Sequence, residues 1–297
     1  MAVELTADTR EQTRARYPDV DGYVERDGVR VYYEVYGSGE PTLLLPTWSI
    51  IHSRQWKGQI PFLARHHRVV TFDGRGNGRS DRPTNPSAYD EREFAADALA
   101  VLDATATERA VVLGYSLGAQ RGLLLAAEHP ERVLGAIFVG PSYPGGGEPL
   151  PERMVPWEDE LDTDEGWAKY NKHYWLRDYR GFVEFFFGRL FAEPHSTKEI
   201  EDCVGWALET TPETLVTAQY GATLGPEDAL ALARRLRCPV LVVHGTRDRI
   251  ISSTRGAALA EHSHGGLVLV EGGGHAPHAR DPVFFNRLVR EFVGTLA

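Results

Sequence analysis

The stretch Val111-Val112-Leu113-Gly114-Tyr115-Ser116-Leu117-Gly118-Ala119-Gln120-Arg121-Gly122-Leu123 decides how the rest of the chain is read. Its first part is a short apolar run of the length expected for a buried strand, and a helical pattern begins just past Ser116. Ser116 stands between them with a glycine two residues before and two after, the G-x-S-x-G pattern. In a chain with 30 glycines that pattern alone arises by chance. The strand before it and the helix after it make it a nucleophile elbow, in which a strained strand-to-helix corner pushes the serine hydroxyl outward and only small flanking residues fit. The following helix points its amide end at the serine, so the Leu117 N–H is placed to bind an oxyanion.

Outward from the elbow the chain alternates buried strands and helices. Gly22–Arg26 and Val29–Tyr36 flank Asp27-Gly28, a strong hairpin signal. Residues 41–45, 68–72, 111–114, 133–139, 239–244 and 267–270 read as strands. Helices are expected from about 56 to 65, 89–104, to 128 after the elbow, 228–237, 254–261 and 282–296. This rhythm predicts an α/β fold, a mostly parallel eight-stranded sheet with helices on both faces. It breaks at Gly140-Pro141-Ser142. Residues 143–225 hold no buried strand run but a Pro/Gly stretch, an acidic stretch and a dense set of aromatics, and read as an inserted helical lid. The expected organisation is therefore a flexible tail at 1–21, a core at 22–142 and 226–297, and the lid at 143–225.

Composition excludes some partners. A net charge of −10 argues against nucleic acid and anionic membrane surfaces. No apolar run approaches membrane-spanning length, and the polar, mixed-charge first twenty residues carry no signal-peptide core, so a cytoplasmic protein is expected. Cys203 and Cys238 form no metal-binding or redox spacing; neither metal nor cofactor is expected. The loop Asp73-Gly74-Arg75-Gly76-Asn77-Gly78-Arg79-Ser80 has the glycines of a nucleotide loop but opens no helix, and reads as a tight surface turn.

Ligand sites of open parallel sheets lie beyond the carboxyl ends of the strands. Asp248 follows strand 239–244 and His275 follows strand 267–270 in a glycine-rich loop, giving the chain order Ser116, Asp248, His275. That order, on Gly114–Gly118, Gly245–Asp248 and Gly274-His275, resembles the α/β-hydrolase family of serine hydrolases with a lid after the sixth strand. The resemblance covers nearly all of residues 22–297 and implies a cofactor-independent hydrolase. A serine hydroxyl near neutral pH needs an adjacent base. His275 would take and return the proton, and Asp248 would hold the imidazole tautomer. His278 is the fallback base. Activity is then expected to fall on an acidic limb near an ordinary histidine pKa of about 6.5.

The family usually places His-Gly after the third strand, as part of the oxyanion hole. Here the residues are Pro46-Thr47, followed by Trp48, whose backbone N–H would be the second donor. Thr47 lacks glycine's backbone freedom, and Trp48 sets a large side chain beside the nucleophile. Thr47, Tyr115, Trp175 and Phe186 are candidate substrate contacts, for a small molecule apolar or aromatic in part. His52 and Arg54 read as surface residues at a helix start, and His244 as a buried strand-end residue. The expected reaction is hydrolysis of a carboxylic ester, thioester or lactone. C–C bond hydrolysis or acyl transfer by the same triad, and ligand binding without catalysis on the same scaffold, are the alternatives.

Overall fold

A computed structural model describes residues 15–296. Most of the expected N-terminal tail, residues 1–14, lies outside the described residues. The strands are β1 (Val20–Arg26), β2 (Val29–Tyr36), β3 (Glu40–Leu44), β4 (His67–Phe72), β5 (Ala110–Tyr115), β6 (Val133–Val139), β7 (Val240–Gly245) and β8 (Gly266–Val270). They form one sheet in the order β1-β2-β4-β3-β5-β6-β7-β8. The β1–β2 hairpin and the β2–β4 pair are antiparallel, and every pair from β4 to β8 is parallel. The order turns back on itself around β3, so loops leaving β3 and β5 open to the same crevice, where a doubly wound sheet binds ligands.

The helices are α1 (Ile60–Leu63), α2 (Glu91–Ala104), α3 (Gly118–Glu128), α4 (Lys172–Arg177), α5 (Tyr179–Leu190), α6 (Thr197–Ala207), α7 (Pro212–Gln219), α8 (Pro226–Arg234), α9 (Ser253–His262), α10 (Pro277–Arg280) and α11 (Pro282–Gly294). Alternate residues of the central strands feed opposite cores. Leu44, Val111, Leu113, Ile137 and Val243 pack with Leu63, Phe285 and Val289 of α1 and α11. Leu43, Val70 and Val112 face Ala98, Val101 and Leu102 of α2, while Phe138 and Val242 pack with Leu123 of α3, Leu232 of α8 and Leu259 of α9. Burial on both faces is why these strands read as continuous apolar runs.

Between β6 and β7 the described chain contains α4–α8 and no strand. Its aromatic core, Trp175, Phe182, Phe186 and Phe187, joins the same cluster as β5 and β6, so the helices rest on the carboxyl edge of the sheet. The helix expected across residues 56–65 is instead a single 3-10 turn, Ser53–Trp56, followed by the four-residue α1. Pro61 and the apolar pull of Trp56, Ile60 and Leu63 into the core favour short turns over a regular helix.

The Asp73–Ser80 loop is not a surface turn. Asp73, Arg75, Asn77 and Ser80 are all buried. The Asp73 carboxylate accepts from Ser53 N–H and Oγ–H and from Arg79 N–H, and Arg75 binds Asp97 through two nitrogens at 2.6 and 2.8 Å. Gly78 has φ +58°, and a Cβ there would stand 2.3 Å from the Asp73 carboxylate. The glycines serve this internal hydrogen-bonded plug beneath the crevice.

Candidate active site

Ser116 occupies the corner between β5 and α3 with φ +54°, a left-handed conformation uncommon for a non-glycine residue. Its N–H donates to Val139 O at 2.9 Å, and its carbonyl accepts from Ser142 N–H at 3.0 Å. The flanking glycines are steric necessities. A Cβ at Gly114 would lie 2.5 Å from Gly118 O, and one at Gly118 would lie 2.7 Å from Pro46 O.

Asp248 follows β7 and is buried. Its Oδ1 accepts from Ile250 and Ile251 N–H at 2.7 and 2.9 Å. Its Oδ2 lies 2.7 Å from His275 Nδ1 and 3.0 Å from His244 Nε2. Burial alone would raise this carboxyl, but the charges and hydrogen bonds of His275 and His244 outweigh it and hold the group well below the usual carboxylate range. An ionised carboxylate only accepts, so His275 Nδ1 carries a proton, and in the neutral form of the ring the lone pair is on Nε2. His244 Nε2 also lies 3.1 Å from Ile251 O, and a nitrogen between two acceptors must be the donor. Gly256 makes room for that ring, since a Cβ there would meet Nδ1 at 2.4 Å.

His275 sits at the ends of β5 and β6. Its ring lies 5.0 Å from that of Tyr115, the residue preceding Ser116, and packs against Gly140, where a Cβ would stand 3.1 Å from Nδ1. His278, in α10, is buried between Tyr115 and Trp56 and makes no bond to Asp248. Burial, then the neighbouring His275, pushes its pKa down to about 3, so it is neutral.

The loop after β3 is held from below. Arg121, on α3 and 1% exposed, donates to Pro46 O at 3.0 Å and Thr47 O at 2.5 Å. Its other nitrogens grip Glu91 at 2.8 and 3.1 Å. In a trans peptide the C=O and N–H point in opposite directions, so anchoring Thr47 O on Arg121 turns the Trp48 N–H away from the Arg121 guanidinium. Among the described residues, the Trp48 and Leu117 N–H groups have no backbone acceptor.

Ser116 and Leu117 line a cavity of about 170 Å³ with Trp48, Phe186, Ile250 and Ile251. Phe186 meets Trp48 at 5.4 Å between ring centroids. The other candidate contacts do not reach it. Thr47 is buried with its carbonyl on Arg121. Trp175 is fully buried in the lid core, stacked on Phe182 at 4.4 Å. Tyr115 faces a separate apolar cavity of about 200 Å³ bordered by His278 and Cys203. Burial pushes the Cys203 thiol up to about 12, leaving it inert. His52, read as a surface residue, is buried beside Asp73 and Glu209. Among the described residues no cluster of His, Cys, Asp or Glu is arranged to hold a metal, and no helix is long and apolar enough to cross a membrane.

The family model for the alpha/beta hydrolase fold matches residues 41–282. The chain belongs to the α/β-hydrolase fold family. It is 28% identical over 259 residues to a pimeloyl-[acyl-carrier protein] methyl ester esterase of Xanthomonas campestris pv. campestris, covering 83% of this chain and 92% of that protein. Among solved structures, it superposes on Est816, described as an N-acyl homoserine lactone degrading enzyme, with a TM-score of 0.75 and 27% identity over 91% of this chain and 100% of that one. The esterase RhEst1 from Rhodococcus sp. ECU1013 gives a TM-score of 0.74 and 28% identity over 93% and 98% of the two chains. With these relatives, this α/β-hydrolase is an enzyme of the ester-hydrolase type.

Sequence reasoning missed three contributors. His244 lies four residues before Asp248, a spacing that could have suggested a shared contact. Arg121, paired with Glu91, holds the Pro46–Trp48 loop from helices far along the chain, and only their burial as charges reveals them.

Proposed function

We propose that this α/β-hydrolase cleaves a small carboxylic ester, thioester or lactone through an acyl-enzyme on Ser116. The observation that carries the reading is the 2.7 Å bond from His275 Nδ1 to an ionised Asp248, which sets the lone pair of the neutral ring on Nε2, beside the end of the strand that presents Ser116. In the first half-reaction Nε2 takes the Oγ proton as Oγ attacks the carbonyl carbon. The carbonyl oxygen becomes an oxyanion between the Leu117 and Trp48 N–H groups. Collapse of the tetrahedral species breaks the bond to the alcohol, thiol or lactone oxygen, which receives the proton from His275. Water, deprotonated by the same nitrogen, then releases the acid. The esterase and lactonase relatives support this bond class. The 170 Å³ cavity favours a short acyl group, since larger ligand sites run to about 300–1,000 Å³. A fluorophosphonate probe tests the reading. The expected result is stoichiometric labelling at Ser116 that Ser116→Ala abolishes; an unlabelled folded protein, beside a control hydrolase that reacts, overturns it.

A further inference from the structure

Arg153 ends a short 3-10 turn, Pro151–Arg153, at the start of the lid, and its side chain borders the same cavity as Ser116. Its guanidinium is held in place. It lies 4.9 Å from the Trp167 ring centroid and 5.2 Å from that of Tyr170, and donates to Ile250 O, on the loop that carries Asp248. That single carbonyl is the acceptor found for its five N–H groups among the described residues. No carboxylate lies within ion-pair distance of it there, in a chain with 42 acidic residues. Two carboxylates of the adjacent acidic stretch are engaged elsewhere, Glu158 with Lys172 and Asp164 with Arg177. Glu91, the carboxylate that also borders the cavity, is neutralised by Arg121. Arg153 therefore brings positive charge to one wall of the Ser116 cavity with donors unfilled. Stacked guanidinium groups with free forks are suited to carboxylate or phosphate.

We propose that Arg153 is an anion subsite, and that the substrate carries a carboxylate on its acyl side, within a short chain of the scissile carbonyl. This rests on the reading of Ser116 as nucleophile. Such a substrate is a monoester or monothioester of a short dicarboxylic acid, or an intact lactone that carries a carboxylate on its acyl side. Its charged end would lie against Arg153 while its carbonyl reaches Ser116.

The test compares p-nitrophenyl hemiglutarate with its neutral counterpart, p-nitrophenyl pentanoate. The wild-type enzyme is expected to prefer the anionic ester at least 10-fold in kcat/KM. Arg153→Gln is expected to reduce the anionic-to-neutral ratio about 10- to 100-fold, mostly through KM, as loss of a charge-assisted pair predicts. Arg153→Lys should restore part of it. Raising the salt concentration should lower the wild-type ratio. That last measurement needs no variant, so the proposal stays testable if Arg153→Gln does not fold. A wild-type ratio near one that salt does not change, or parallel losses on both esters in Arg153→Gln, overturns it. If neither ester is cleaved and Ser116 stays unlabelled, the hydrolase reading fails separately. Calorimetric binding of glutarate then decides the subsite: weakening by Arg153→Gln supports it, and equal or absent binding refutes it.

Discussion

Arg121→Met tests whether the Pro46–Trp48 loop, the proposed half of the oxyanion hole, is positioned from beneath. Arg121 and Glu91 are 1% and 4% exposed at the side chain, so methionine leaves a buried carboxylate without a partner. Breaking a buried pair from one side costs about 3–5 kcal/mol of stability. The same change frees Pro46 O and Thr47 O, which Arg121 holds at 3.0 and 2.5 Å. The Thr47–Trp48 peptide can then rotate and take the Trp48 N–H out of line, and one lost oxyanion donor costs about 100- to 1,000-fold in kcat. The double variant Arg121→Met with Glu91→Leu separates the two effects. It removes the stranded charge, so urea denaturation should recover most of the lost stability, whereas the loop carbonyls stay unheld. Its kcat on p-nitrophenyl esters, measured where both variants are folded, should stay near that of Arg121→Met, with KM changed far less. Recovery of kcat to within about 3-fold of wild type would refute the positioning argument and leave Arg121 as a neutraliser of Glu91.

Asp248→Asn should lower kcat about 10⁴-fold with the fold intact, because an amide nitrogen facing His275 reverses the tautomer; far-UV circular dichroism and steady-state kinetics together check it. Gly118→Ala should depress soluble expression or unfold at clearly lower temperature, since its Cβ would meet Pro46 O at 2.7 Å, a backbone atom that cannot swing aside. Stability should fall on acidification. His278 has a folded pKa of about 3 against an ordinary 6.5, so the unfolded chain binds a proton that the folded one does not throughout that window. Its contribution is complete above pH 6.5 and about 3 kcal/mol smaller by pH 4, and His278→Phe should flatten the denaturation profile there. Asp248, held low in the fold, adds to the same loss only below its ordinary 3.8.

Much of the fold was legible because its signals are local. Each central strand is buried on both faces, so the apolar runs at 111–114, 133–139 and 239–244 stand out without knowledge of their neighbours. The elbow is legible because its G-x-S-x-G pattern sits between a strand and a helix, and the clash that demands Gly114 is with Gly118 O nearby; the clash that demands Gly118, with Pro46 O, is long-range. Asp248 and His275 were singled out by position, each shortly after a strand, and their side chains meet at 2.7 Å. Errors fall where long-range contacts override local pattern. Trp48 and Phe186 reach the cavity while Trp175, equally aromatic, is consumed by stacking on Phe182, and nothing in spacing distinguishes them. The Asp73–Ser80 loop looks like a solvent-facing turn because its polar residues bond one another and Ser53, Asp97 and the lid only after folding.

The departure at Pro46-Thr47 shows how such hidden contacts change the meaning of a motif. A glycine in an oxyanion loop is useful because its peptide can adopt whatever orientation aims the next N–H. Threonine lacks that freedom, and taken alone the substitution argues for a poorer hole. Arg121 reverses the argument. By binding the carbonyl of the same peptide it fixes the plane externally, so orientation no longer depends on backbone permissiveness. The cost is a guanidinium buried beneath the loop, which in turn demands Glu91 at the first residue of α2. Loop, cation and anion therefore form one unit: replacing Thr47 by glycine should relax the need for Arg121, and the two changes combined should cost less activity than Arg121→Met alone.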